Sequence, residues 1–390
     1  MKIALCLEYP LAQLGGVEVL VTELVFGLAA RHQVVLVSPD DAASLARSPV
    51  APLLTGHIPW QTEPATTARG RELAGKLKAA GVDIVHFHFG GNYNWKNRAF
   101  NKCPVVAVAR AGIPCLSTNH GAFSIMEGFC SRFRPLPVKL ALFGPAWLSK
   151  QYVVAHLAAE VAVSQNDYRN LRRWYPPVAN KFRWIYHSRI RETVPPPFNP
   201  DRTKTILCAG TIGMRKGQWY LVEAFKLLAA KFPDWRVVLV GRTDDAEVGA
   251  QVREMITREK LADRITMPGP CSDAELREHL RTAGVFAMPS IWEGLGLSLQ
   301  EAQFYGCPCV GTRCGGVPDL IQDGDNGLLV PVRDPVALAA ALEKLLGDAA
   351  LRERLSRRAP QSVLEKRMTA PQMVTAYEEL YAEMVTGKRG

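Results

Sequence analysis

The chain has 390 residues, 48% of them hydrophobic and 22% charged, the composition of a folded globular protein and a length that suits two cores rather than one. Its net charge of +10 is concentrated: residues 91–195 hold 15 Lys/Arg against Glu127, Glu160, Asp167 and Glu192, a face that invites an anionic partner. No apolar run reaches the roughly 18 residues of a bilayer span, and "MKIALCLEYPLAQLGG" meets Glu8 and Pro10 too soon for a secretion signal, so the expectation is a cytoplasmic chain, peripheral to the inner face of the cytoplasmic membrane if it meets a membrane at all.

In chain order, "KIALCL" reads as a first buried strand, "LGGVEVL" as a glycine-bearing turn and "VTELVFGLAARH" as a helix. "QVVLVSP" and "DIVHFHFG" are further strands, "PVVAVAR" is taken as a fourth, and "PCLSTNHG" follows as the next. Strands alternating with helical stretches indicate a parallel, doubly wound sheet. After the proline-rich "TVPPPFNP" at 193–200 the pattern restarts with "TILCAGT", "QWYLVEAFKLLAAKF", "WRVVLVG" and "DAEVGAQVREMITREK". It continues through "RITMPG", "ELREHLRTAG", "VFAMPS", a helix at 297–306, "PCVGTR" and "GLLVP". The expected organisation is an α/β domain at 1–192, a linker at 193–200 and a second α/β domain at 201–368. A last helical stretch at 369–390 has no strand after it and is expected to pack back on the first domain. Open sheets of this kind place ligands at the carboxyl ends of their strands.

Two glutamates, Glu293 and Glu301, stand eight apart in "PSIWEGLGLSLQEAQFYG" (289–306). One reading makes Ser298 and Glu301 a capping box that starts a helix, with Glu293 an ordinary loop carboxylate. The other uses Gly294 and Gly296 for close backbone approach and the helix start for an anion such as a diphosphate. Arg215 and Lys216 in "GTIGMRKGQ" follow a strand end and could clamp the same anion; a solvated basic turn is the plainer alternative. Gly15 and Gly16 sit where the first strand turns into its helix, and His120 in "STNHGAF" ends another strand, a place where a histidine is either structural or poised at a ligand.

The nine cysteines are scattered without a CxxC pair, and "CPCVGTRC" has no histidine nearby, so reduced thiols and no metal are expected. Asp244 and Asp245, like Asp323 and Asp325, read as turn formers.

Over nearly its whole length the chain resembles the family 4 glycosyltransferases. "PSIWEGLGLSLQEAQFYGCPCVGTRCGGVPDLIQDGDNGLLVP" is similar to that family's E-x7-E segment and the glycine-rich turn and strand after it. "GTIGMRKGQWYLVEAF" resembles its phosphate clamp, "LGGVEVLVTEL" its N-terminal glycine loop and "VAVSQNDYRNL" its interdomain segment. The resemblance implies a GT-B fold of two facing Rossmann-like domains with a deep interdomain cleft, and retaining transfer from a nucleotide sugar such as a UDP- or GDP-sugar, without metal or other cofactor. It implies that Glu301 takes the ribose hydroxyls and that Glu293 holds the transferred sugar. Gly15, Gly16, Thr211, Arg215, Lys216 and the backbone of Gly294, Leu295, Gly296 and Leu297 belong to the donor site, and Glu293, His120 and Lys216 to the catalytic set. Three positions depart from the pattern: Thr211 where the clamp has arginine, "YHSRI" at the hinge, and Asp319 where glutamate is common.

The window "CSRFRPLPVKLALFGPAWLSKQYVV" (130–154) interleaves Arg132, Arg134, Lys139 and Lys150 with Phe133, Leu140, Phe143, Trp147 and Leu148. It reads either as a surface resting on anionic lipid, which suits a glycan or lipid-linked acceptor in bacterial polysaccharide or lipopolysaccharide synthesis, or as a buried helix with basic flanks. No nucleic-acid module accompanies the charge. Glu127 is the one nearby first-domain carboxylate that an inverting mechanism could use as base. A nucleotide-sugar epimerase and a non-catalytic glycosyltransferase-like subunit are the alternatives.

Overall fold

The computed structural model describes residues 1–11, 15–88, 99–120 and 136–387, with side chains from 144 onward in the last stretch. Two compact units result: Met1–Arg189 with Ala370–Gly390, and Ile190–Thr369. Glu127, Arg132, Phe133 and Arg134 lie outside the described residues.

The first unit is built on a sheet of seven strands in the order β3-β2-β1-β4-β5-β6-β7, namely β1 (Lys2–Leu7), β2 (Gln33–Ser38), β3 (Gly56–Pro59), β4 (Ile84–His88), β5 (Cys115–Asn119), β6 (Ala159–Ala162) and β7 (Phe182–Trp184). Every pairing is parallel, and alternate side chains of each strand enter two cores. On one face Ala4, Cys6, Val85, Phe87 and Cys115 meet the helices Thr67–Ala79 and Pro104–Arg110. On the other, Ile3, Leu5, Leu7, Ile84 and Leu116 meet Gly16–Leu28 and Ala370–Thr386. The C-terminal helix is therefore part of this unit, and at Gly27 a Cβ would fall 2.5 Å from Val374 Cγ2, so glycine there lets the two helices close.

The second unit has six parallel strands in the order β10-β9-β8-β11-β12-β13: β8 (Thr203–Ala209), β9 (Arg236–Val240), β10 (Ile265–Gly269), β11 (Ala283–Met288), β12 (Cys309–Thr312) and β13 (Leu328–Val330). Its core joins Ile206, Leu239, Val285 and Val310 to Leu221, Phe225, Leu342 and Leu345 of flanking helices. In both sheets the strand order reverses beside the first strand, between β1 and β4 and between β8 and β11. Such reversals leave a crevice at the carboxyl ends, and the motif residues follow β1, β8 and β11.

Three expectations need correction. "PVVAVAR" is the helix Pro104–Arg110, not a strand: Pro104 enters the first turn, where its missing N–H costs nothing, and Ala107 packs against Gly70 so closely that a Cβ there would lie 2.9 Å away. Residues 193–200 do not form a free linker; Phe198 lies 4.0 Å under the Arg357 guanidinium and Asn199 donates to the Arg281 carbonyl. Lys150 does not belong to a basic surface. It is buried on the Leu136–His156 helix and pairs with the buried carboxylate of Glu160, while Trp147 donates to the Trp174 carbonyl. Of Trp147 and Leu148 only Leu148 is exposed, at 54%. No helix among the described residues is long and apolar enough to cross a membrane.

Candidate active site

In the second unit the chain leaves β8 through Gly210 and β9 through Gly241, both at φ +148. The two backbones cross so tightly that a Cβ on Gly241 would sit 2.1 Å from the Gly210 carbonyl oxygen. The loop then folds into a short turn, Met214–Lys216, closed by Gly217 at φ +64. A Cβ on Gly217 would lie 2.4 Å from the Pro289 carbonyl oxygen, so glycine is what lets this turn meet the loop after β11. The Ile291 amide donates to the Arg215 carbonyl at 2.8 Å, locking the two loops together.

That contact delivers both cations to Glu293. Lys216 Nζ donates to Oε1 at 2.6 Å, Arg215 Nη1 approaches Oε2 at 3.4 Å, and Ser290 Oγ donates to Oε1 at 2.7 Å. The Arg215 guanidinium also lies 5.3 Å from the centre of the Trp292 ring, a cation–π distance. Burial pushes the Glu293 carboxyl up, yet the charges of Lys216 and Arg215 and the two hydrogen bonds outweigh it and hold the group below the usual carboxylate range. Glu293 is therefore an ionised, buried carboxylate rather than an ordinary loop residue, and Lys216 is not a solvated basic turn. Thr211 lies half-buried on the same loop, and its carbonyl accepts from Gln218 Nε2 at 2.9 Å. The second cation of the cluster comes from Arg215.

Gly294, Leu295 and Gly296 carry the chain, all buried, into the helix Leu297–Phe304. Its N-cap is Gly296 at φ +103, with no side-chain cap. The capping box is thus absent: Ser298 sits in the first turn and donates to the Ala209 carbonyl at 2.9 Å, tethering the helix start to the end of β8. With no capping side chain, the first turn presents its N–H groups and dipole beside the Lys216–Glu293–Arg215 cluster. Glu301 is buried one turn further along. Gly315, at φ +47, supports the loop from beneath; a Cβ there would be 1.6 Å from the Glu293 carbonyl oxygen.

In the first unit Gly15 caps the helix Gly16–Leu28 from an extended conformation, and a side chain at Gly16 would meet nothing within 4 Å. His120 is not a lone histidine. His86 and His88 of β4 project onto the same face as Thr118 and His120, and His187 joins them. Ring centres lie 3.8 Å apart for His86–His88, 5.4 Å for His88–His120 and 5.3 Å for His120–His187. A hydrogen-bonded chain runs Tyr381–His86–Thr118–Tyr377–His187, with links of 2.6, 2.7, 2.9 and 2.9 Å, and it satisfies both buried tyrosines of the C-terminal helix. Burial first, then mutual repulsion of the imidazoles, drives His86, His88 and His187 well below the ordinary histidine range. Burial alone takes His120 down to about 3. The sequence signal for the cluster was the H-x-H spacing in "DIVHFHFG", which puts both rings on one face of a strand.

Residues 14–188 match the model of Glycosyltransferase Family 4 and residues 190–362 that of Glycosyl transferases group 1. The chain belongs to the family 4 glycosyltransferases. A D-inositol 3-phosphate glycosyltransferase of Xylanimonas cellulosilytica is 27% identical to this glycosyltransferase, over 95% of this chain and 92% of the relative. A phosphatidyl-myo-inositol mannosyltransferase of Mycolicibacterium smegmatis is 32% identical over 46% of each chain. Among solved structures, a glycosyltransferase from Rickettsia africae superposes with a TM-score of 0.76 at 19% identity, covering 99% of both chains. Anabaena HepE, solved with UDP and glucose, gives 0.75 at 16% identity over 98% of this chain and 100% of its own. This glycosyltransferase thus has the GT-B fold, and its six-stranded unit carries Thr211, Arg215, Lys216, Glu293, the 294–297 backbone and Glu301 at one reversal of strand order. Gly15, Gly16 and His120 stand at the strand ends of the other.

Proposed function

We propose that this glycosyltransferase moves a sugar, with retention at the anomeric carbon and without a metal, from a nucleotide-diphosphate sugar to a hydroxyl of a glycan or lipid-linked acceptor. The observation that carries the reading is the pairing of Lys216 and Arg215 with a buried, ionised Glu293 beside an uncapped helix N-terminus. As the bond from sugar to phosphate breaks, negative charge grows on the diphosphate and positive charge on the anomeric carbon. Lys216, Arg215 and the helix amides answer the first, in place and already oriented. The Glu293 carboxylate answers the second and keeps Lys216 from folding away. Glu301 takes the ribose hydroxyls, and His120 contacts the transferred sugar or its phosphate. Glu160 of β6 is committed to Lys150 and so is not a base for inversion. The HepE complex supports UDP as one nucleotide to test. The relatives' names, an inositol phosphate and a phosphatidylinositol among their acceptors, suit the basic 91–195 region, as does a place in bacterial surface-polysaccharide or lipopolysaccharide synthesis.

Donor hydrolysis tests the chemistry without knowing the acceptor. UDP- and GDP-sugars are incubated with the protein in EDTA, and the freed sugar is read by rapid proton NMR before it mutarotates. Release of the donor's own anomer in EDTA is the expected result; the opposite anomer, or turnover only on adding a divalent cation, overturns the mechanism.

A further inference from the structure

His88 Nδ1 and His120 Nε2 lie 3.2 Å apart, so one proton sits between two neutral rings and either residue could supply it. The surroundings decide which. His88 Nε2 is buried with no hydrogen-bond partner. If His120 donated, neutral His88 would carry its own proton on that Nε2, an orphaned buried N–H of the kind folded proteins all but exclude. If His88 donates from Nδ1, its Nε2 is only a bare lone pair, the more tolerable orphan. We propose that His88 is the positioning residue for His120: it donates Nδ1–H to His120 Nε2 and so holds His120 as the Nδ1–H tautomer, a fixed hydrogen-bond donor at the carboxyl end of β5.

Neighbouring groups keep this arrangement neutral and rigid. The His86 ring, tilted by 42° with its centre 3.8 Å from that of His88, is itself engaged at both nitrogens by Tyr381 and Thr118, and burial disfavours a cationic ring at every position in the cluster. A neutral imidazole whose Nε2 is already accepting has one thing to offer a ligand, a single N–H. His120 therefore selects for an acceptor oxygen, a phosphoryl oxygen or a sugar hydroxyl accepting through its lone pair, and cannot serve as a base there. The ligand part of this inference rests on the proposed donor reading; the tautomer does not.

The two parts have separate tests. In 15N-histidine-labelled protein, two-bond proton–nitrogen spectra, assigned with H88N and H120N, read each ring's tautomer. His88 and His120 are both expected as Nδ1–H; His120 found as Nε2–H overturns the proposal whatever the protein catalyses. H88N places its amide N–H where Nδ1 was, whereas H88L removes the donor. H88N is expected to keep the His120 tautomer and the turnover of UDP-glucose or GDP-mannose within a few-fold. H88L is expected to release the tautomer and lower kcat/KM at least about tenfold, the loss of one positioned hydrogen bond, with an unchanged melting profile near pH 8. Equal loss in both variants makes His88 merely structural and overturns the positioning role. If the wild type turns over neither donor while His120 is Nδ1–H, the tautomer stands and the donor reading falls. If H88L does not fold, the wild-type spectrum and H88N still decide.

Discussion

Lowering the pH from 7.5 to 5.5 should cost this protein a large part of its folding stability, because four imidazoles, three of them buried and His120 half-buried, are held neutral. His86, His88, His120 and His187 all have folded pKa values below the ordinary histidine value. As the pH falls below about 6.5 the unfolded chain takes up protons that the folded chain refuses, so stability drops with pH. For His120 the window extends down to about 3. One such group costs about 1.4 kcal/mol at pH 5.5, and four together about 5–6 kcal/mol, comparable with the whole stability of many domains, about 5–15 kcal/mol. Urea titrations at half-unit pH steps measure it: the free energy of unfolding should approach a slope of about 1.4 kcal/mol per pH unit for each histidine, and H88L should reduce the slope by about one proton. A transition midpoint that stays put between pH 7.5 and 5.5 would refute the reasoning, since it would require imidazoles that are solvated or charged in the fold.

Lys216→Ala takes the nearest cation from the buried Glu293 carboxylate, so it should lower Tm by several degrees and slow donor turnover by about 10²–10³-fold, the loss of one preorganised electrostatic contact; a variant with near-normal turnover would remove Lys216 from the catalytic set. Gly315→Ala forces a side chain into φ +47 and against the Glu293 carbonyl, and should destabilise by at least about 3 kcal/mol, read as a Tm drop of roughly 6–12 °C by calorimetry. Glu293→Gln should lower stability at neutral pH and flatten its loss in acid. Glu293 is held below the usual carboxylate range, so its contribution is present above the unfolded carboxylate value and disappears as pH falls through the folded one; parallel acid titrations of wild type and variant that superimpose would contradict this.

The two α/β sheets were legible because their strands are short, nearly continuous apolar runs broken by helical spacing. That same feature misled at 104–110, where "PVVAVAR" is apolar enough for either state and only its packing against Gly70 makes it a helix. The glutamates and the Arg215–Lys216 pair could be picked out by spacing and resemblance, but their joining could not. It depends on Gly217 and Pro289, far apart in sequence, touching backbone to backbone. Ser298 misled for a local reason. Its S-x-x-E spacing mimics a capping box, whereas Gly296 at φ +103 starts the helix earlier and leaves the serine free to bond Ala209. The histidine cluster went unread because its four members come from the ends of two strands, β4 and β5, and from His187 just before the unit boundary, with tyrosines from the C-terminal helix completing it.

The most direct test of the donor site is a thermal-shift panel with UDP, GDP and ADP on the wild type and Glu301→Ala. A nucleotide at about a hundred times its Kd adds about 2.7 kcal/mol, several degrees of Tm. One nucleotide should stabilise the wild type and fail to stabilise the variant, whose own Tm stays close to the wild type's because Glu301 is not part of a helix cap. If no nucleotide moves the wild type, or if Glu301→Ala keeps the full response, the donor site is not where this account puts it.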